Sequence, residues 1–127
     1  NHLILTGELP ASQLTRYLAA ADLAVISSIR EGSNKVLLEA AALGTPFVAT
    51  TTSGTNEFFR DPPGGAEVPP GDTPSLSRAI VELLLDERRR RMLGQQAAQG
   101  SLRFRSDQVA EEMVGLYTEV LAGQRKR

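Results

Sequence analysis

Three observations in this 127-residue sequence predict an α/β fold: a parallel sheet with helices on both faces. Short apolar, β-branched runs alternate with segments of helical spacing. Glycine, proline and small polar residues punctuate the short links between them. The order strand, helix, strand, helix, strand is how parallel strands are joined through crossover helices. The length fits one domain.

His2 to Thr6 reads as a short buried strand closed by Gly7. Ser12 to Ala21 has helical spacing, with Leu14, Tyr17, Leu18 and Ala21 on one face. Leu23 to Ser27 is a second apolar strand, followed by a polar loop, Ser28 to Asn34. Lys35 to Leu43 is the next helix, ended by Gly44 and Pro46. Phe47 to Thr50 is a third strand. The loop Thr51 to Thr55 leads to a short helix around Asn56 to Arg60, then a turn over Asp61 to Gly65. Ala66 to Val68 reads as a short fourth strand. Asp72 or Thr73 caps a helix with Pro74 in its first turn, running to about Leu85. Asp86 or Glu87 starts another, ending near Gly100. Ser106 caps the last, whose stripe of Val109, Met113, Leu116, Tyr117 and Leu121 is expected to pack on the domain or across to another. A single domain therefore spans 1–122, and the basic tail 123–127 is expected to fray into disorder.

Composition narrows the function. Apolar residues make up 41% and charged residues 23%, as in a soluble globular protein. A net charge of −1 implies no general attraction to nucleic acid or anionic membrane. The absence of cysteine excludes a disulfide framework and fits a reducing compartment, so the expected location is cytoplasmic, with peripheral contact at the inner membrane face as the remaining option. No apolar run reaches the ~18 residues that span a bilayer. The sequence opens on Leu3, Ile4 and Leu5 without an initiator Met, and reads as a piece of a longer protein. His2 is the sole histidine and has no acidic partner nearby in sequence, so neither a triad nor a metal cluster can be assembled. Ser27, Ser28 and Thr50 to Ser53 read as hydrogen bonders at loop ends, and Arg88 to Arg91 as a solvated helix surface.

In a parallel α/β sheet, ligands bind in the loops at the carboxyl ends of the strands. The most unusual such loop runs from Ser27 through Glu31, Gly32, Ser33 and Asn34 into the helix at Lys35 and Val36. Small residues before a helix start allow close approach of a phosphate to free backbone N–H groups; equally, Gly32 turns the chain and Ser33 or Asn34 caps the helix. Glu39 is the one acid in an apolar helix and points back toward the loop. It accepts hydrogen bonds from vicinal hydroxyls such as those of a ribose, or else pairs with Lys35 at i,i+4. Glu31 at the loop tip either hydrogen-bonds a sugar or is a solvated charge.

Taken together, these residues resemble the family 4 retaining glycosyltransferases. Glu31 and Glu39, with seven residues between them, are similar to that family's paired-glutamate motif. Leu14 to Ser28, Val36 to Ala40, Leu43 to Thr50, Gly54, Glu57, Gly65 and Pro70 to Asp72 follow in the family's order, so the likeness covers about residues 3–122. It implies the carboxy-terminal part of the Rossmann-like donor domain of a GT-B glycosyltransferase. By the resemblance, Glu31 lies by the donor sugar as the catalytic candidate. Gly32, Ser33, Asn34, Lys35 and Val36 meet the diphosphate and sugar, Glu39 binds the ribose hydroxyls, and Leu9 lies against the base. The substrate is a nucleotide-diphosphate sugar, transferred with retention to a glycan, lipid or small-molecule acceptor, without metal or other cofactor. The partners implied are that donor, the acceptor, and an amino-terminal domain of the same chain; nucleic acid is not among them. An Arg and a Lys that clamp the diphosphate are expected to precede residue 1, so this stretch alone is expected to be inactive.

The sequence also departs from the family. Ser33 stands for an aromatic or apolar residue, Asn34 for Gly or Pro, Lys35 for an apolar residue or Asn, and Ser53 for the first Gly of a Gly-Gly pair. Those departures keep open a degenerate, non-catalytic donor domain used for binding or assembly. A signalling receiver of similar topology is disfavoured, because the strand ends carry Ser and Thr instead of clustered acids.

Overall fold

The computed structural model describes residues 2–32, 34–56 and 63–124. Its elements are α1 (Ala11–Ala20), β1 (Ala24–Ile26), α2 (Lys35–Ala42), β2 (Phe47–Thr50), β3 (Gly65–Val68), α3 (Thr73–Leu85), α4 (Glu87–Ser101), a 3₁₀ turn (Leu102–Phe104) and α5 (Ser106–Gln124). The sheet is parallel with order β1-β2-β3; Val48 is in register with Val25 on one side and Ala66 on the other. The expected short helix at 56–60 and the turn at 61–65 fall mostly on residues outside those described.

The apolar run of β2 suits a strand covered on both sides. All four of its residues are buried. Successive side chains point to opposite faces. Phe47 and Ala49 join Leu18, Ala24, Ile26, Leu37, Ala40, Ala41 and Ala97 in one core, so α1, α2 and α4 cover that face. Val48 joins Val68, Leu83 and Leu93 in the other, beneath α3 and the middle of α4. Val25, which alternates to this second face on β1, is left 45% exposed.

Local chemistry bounds α2, α3 and α4 where the sequence places its punctuation. At the end of α2, the Gly44 N–H bonds the Ala41 carbonyl and the Thr45 N–H the Ala40 carbonyl, both at 2.9 Å. This is a Schellman motif, and it needs Gly44 at φ +73°. Thr45 Oγ1 then donates to the Leu18 carbonyl at 2.8 Å and ties the end of α1 to the same corner. Asp72 caps α3: its carboxylate accepts from the Ser75 N–H at 3.0 Å and from Ser75 Oγ at 2.7 Å. Asp86 closes α3 and caps α4 through the Arg89 N–H.

Two expectations require correction, and a third, for α5, is narrowed. Residues 2–6 form no strand; Leu3 and Leu5 are 78% and 87% exposed. Apolar, β-branched composition suits a strand, but only a ladder to a neighbour holds one. Among the described residues, none pairs with this segment, and β1 ends the sheet. The stripe of α5 does not pack on the domain: Val109, Met113, Leu116, Tyr117 and Leu121 all stay exposed. The extended backbone at Arg105 carries α5 away, and its main contact is with the 3₁₀ turn. Arg90, within the arginine run read as solvated, instead donates to the Leu83 and Leu84 carbonyls and so caps the end of α3. On α1, Leu18 is buried and Leu14 half-buried as expected, whereas Tyr17 and Ala21 stay exposed. The last helix continues to Gln124, and residues 125–127 lie outside those described. Among the described residues, no helix is long and apolar enough to cross a membrane.

Two predictions follow from the packing. A Cβ at Gly94 would run into the Gly44 carbonyl oxygen, where α4 crosses the end of α2. Gly94→Ala is therefore expected to lower stability by about 1–3 kcal/mol, as overpacking does, in a urea unfolding experiment. The Ser75 N–H, then its hydroxyl, hold the Asp72 carboxyl below its ordinary value. A depressed carboxylate contributes stability above its unfolded pKa and loses it as pH falls through the folded one. The melting-temperature gap between wild type and Asp72→Ala should be full at neutral pH and close as pH drops below about 4.

Candidate functional site

The carboxyl end of β1, the loop 27–34 and the start of α2 enclose an open cleft of about 660 Å³. Ser27, Ser28, Glu31, Asn34, Lys35 and Val36 line it, over Val25 and Ile26 of the strand. Asn34 shapes the helix start. It is 7% exposed, and its Oδ1 accepts from the Leu37 N–H at 2.8 Å. The Leu38 N–H bonds the Asn34 carbonyl. Among the described residues, the N–H groups of Lys35 and Val36 have no such partner, so they remain the open donors of this helix end. Of the alternatives left open for the cap, Asn34 is the residue that fills it.

Gly32 is exposed, its φ is not left-handed, and a Cβ built there meets nothing within 4 Å. The turn itself therefore does not require glycine. Lys35 and Val36 are exposed on the cleft wall. Ser33 lies outside the described residues. Leu9 is half-buried in the irregular segment before α1 and does not border the cleft.

Glu39 sits one turn further along α2 and is half-buried. Its Oε2 is buried without a hydrogen-bond partner. No ion pair joins it to Lys35, so the i,i+4 pairing is not formed. An unpartnered buried carboxylate oxygen is costly, and Glu39 lies behind the residues that line the cleft without lining it itself.

The adjacent loop after β2 braces the first. Thr50 Oγ1 donates to the Ser28 carbonyl at 2.5 Å. Ser28 Oγ donates to Glu31 Oε2 at 3.2 Å. Glu31 is half-buried, and its backbone carbonyl accepts from the Gly54 N–H and from Ser53 Oγ, each at 2.9 Å. Thr55, fully buried, donates to the Thr50 carbonyl at 2.7 Å and so secures the bracing loop. The hydroxyl residues read as loop-end hydrogen bonders have this role at Ser28, Thr50 and Ser53. What sequence reasoning missed is that Thr50 and Ser53 act between loops, Thr50 on the Ser28 carbonyl and Ser53 on that of Glu31, while Ser28 holds the Glu31 carboxylate from within the loop. The available signal was the concentration of Ser and Thr at two successive strand ends. No group of His, Asp and Glu side chains that could hold a metal ion occurs among the described residues.

Residues 1–86 match the family described as glycosyl transferases group 1. The chain belongs to that family. Over 115 residues it is 37% identical to an exopolysaccharide phosphotransferase of Streptomyces coelicolor, covering 89% of this chain and 12% of that protein. It is 36% identical over 108 residues to a D-inositol 3-phosphate glycosyltransferase of Salinispora tropica, covering 85% of this chain and 22% of that one. The fold matches that of a sucrose-phosphate synthase from Thermosynechococcus elongatus with a TM-score of 0.81 at 30% identity, over 93% of this chain and 30% of that chain. This is a Rossmann-like glycosyltransferase domain of the GT-B type. It spans 12% and 22% of the length of those two curated relatives.

The cap gives a direct test of how the site is built. Asn34→Ala removes the acceptor for the Leu37 N–H and is expected to cost about 1 kcal/mol, whereas Asn34→Asp, which keeps it, should lose much less. Chemical unfolding of the two variants beside wild type checks this.

Proposed function

We propose that this chain is the donor-binding part of a retaining glycosyltransferase that takes a nucleotide-diphosphate sugar. The observation that carries the reading is the buried, unpartnered Oε2 of Glu39, the only acid of α2. A carboxylate so placed is suited to vicinal hydroxyls, which supply the hydrogen bonds the protein does not. The ribose therefore goes to Glu39, and the diphosphate to the open N–H groups of Lys35 and Val36 at the positive end of α2. Lys35 adds a cation on the cleft wall, and Gly32 leaves room for the ligand. Glu31 lines the same cleft, and in this reading it meets the donor sugar.

In the reaction, the bond between the anomeric carbon and the diphosphate oxygen breaks, and its electron pair stays on phosphate. The acceptor hydroxyl oxygen bonds that carbon with retained configuration, and its proton passes to the departing diphosphate oxygen. Fixed backbone N–H groups stabilise the charge that grows on the departing diphosphate, and they need no reorganisation and no metal to do so. In this reading the acceptor site and the remaining diphosphate clamp come from the rest of a longer protein, in keeping with the 12% and 22% of two curated relatives that this chain spans.

The test is thermal melting of the complete protein carrying this chain with UDP, GDP, ADP and their sugar conjugates. A ligand at 100 times its Kd should add about 2.7 kcal/mol of stability. Glu39→Ala should abolish the shift for the preferred nucleotide while leaving the free protein as stable as wild type or more so, because it removes an unsatisfied buried oxygen. A shift that survives Glu39→Ala would refute the ribose assignment. No shift with any nucleotide would favour the degenerate binding module.

A further inference from the structure

Glu31 is gripped at two points by different parts of the chain. Its carboxylate is held within its own loop by Ser28 Oγ. Its backbone carbonyl is held from the neighbouring loop by the Gly54 N–H and Ser53 Oγ. A carbonyl oxygen has two lone pairs, and here both have donors. A residue of any type at 54 except proline supplies the N–H. The hydroxyl, by contrast, depends on the residue at 53. Ser53 is exposed, so burial in the core does not explain it.

The two loops also share a second cleft, of about 420 Å³, lined by Ile29, Arg30, Glu31, Gly32, Thr52 and Ser53. Glu31 borders both this cleft and the one at the start of α2. It is therefore the wall between the phosphate-facing side and the far side of the site. A hydrogen bond on its carbonyl sets the backbone on which both its carboxylate and the Gly32 N–H are carried.

The geometry points to Ser53 as a positioning residue, an inference that rests on the proposed donor site. Its hydroxyl clamps the Glu31 carbonyl and thereby fixes Glu31 and Gly32 against the glycosyl part of the donor. Ser53 makes no contact with Asn34, Lys35 or Glu39 through hydrogen bonds, so the nucleotide part is held independently of it. The clamp bears on discrimination between the sugar nucleotide and the bare nucleoside diphosphate, and not on affinity for both alike.

The experiment compares wild type, Ser53→Ala and Ser53→Thr in the complete protein, with two readouts. Titration calorimetry measures the sugar nucleotide and the matching nucleoside diphosphate. Hydrogen exchange in the unliganded protein measures the amides of residues 29–32. Ser53→Ala is expected to weaken the sugar nucleotide about five- to tenfold, the worth of one hydrogen bond, and to leave the nucleoside diphosphate within about twofold. It should also speed exchange over 29–32. Ser53→Thr, which keeps a hydroxyl, should restore both. Equal weakening of the two ligands, no weakening of either, or unchanged exchange would overturn the assignment. Wild-type protein that binds neither ligand would overturn the donor reading and this role with it, while the exchange data would still report whether the clamp exists.

Discussion

The burial of β2 on both faces is the constraint on which the rest of the structure depends. Phe47 and Ala49 fill one core and Val48 the other, so this strand is where the two helical layers meet. A strand between two parallel neighbours has its backbone groups committed to ladders, and its loop must leave at the carboxyl end of the sheet. That places Thr50 beside the end of β1, and Thr50 then reaches the Ser28 carbonyl. Packing thus determines which two loops are neighbours. Their hydrogen bonds determine how they stand.

Helix α2 links that core to the candidate site. Leu37, Ala40 and Ala41 bury one face of it, and the Schellman motif at Gly44 ends it against α4. The helix is short, so its opening is held rigidly by the same packing. Asn34 caps one donor, and among the described residues the first two have no partner. Glu39 then carries a buried oxygen that no protein group satisfies. An unsatisfied polar atom lowers the stability of the free fold, and such costs concentrate where a ligand removes them.

Much of this was legible from sequence. The periodicity of α2, β2, α3 and α4, together with the Gly44, Asp72 and Asp86 signals, placed those elements within a residue or so of where they lie. Local rules sufficed because each end is made by groups close in sequence. Residues 2–6 were misread because a strand is a relation between segments, and apolar composition does not reveal whether a partner is present. Of the two partners expected for the stripe of α5, this domain is not the one that covers it. Amphipathic spacing shows that a face is suited to burial, but not what covers it. Arg90 shows the converse: within a run of four arginines, only tertiary position separates the one that caps α3 from its solvated neighbours.

The sequence by itself determined the α/β class, the family, and the loop and helix from Glu31 to Glu39 as the place to look. Periodicity, capping residues and an ordered string of motif positions are properties of the chain alone. It left open which residue caps the helix and whether Glu39 pairs with Lys35, and three-dimensional placement decided those two points. Asn34 fills the cap because the Leu37 N–H comes within reach of its side chain. Glu39 stays unpaired because Lys35, four residues away on the same helix, lies on the cleft wall instead of at its carboxylate. The clamp on Glu31 was decided in the same way. Ser53 is far from it along the chain, and only the parallel pairing of β1 with β2 brings its hydroxyl to the Glu31 carbonyl.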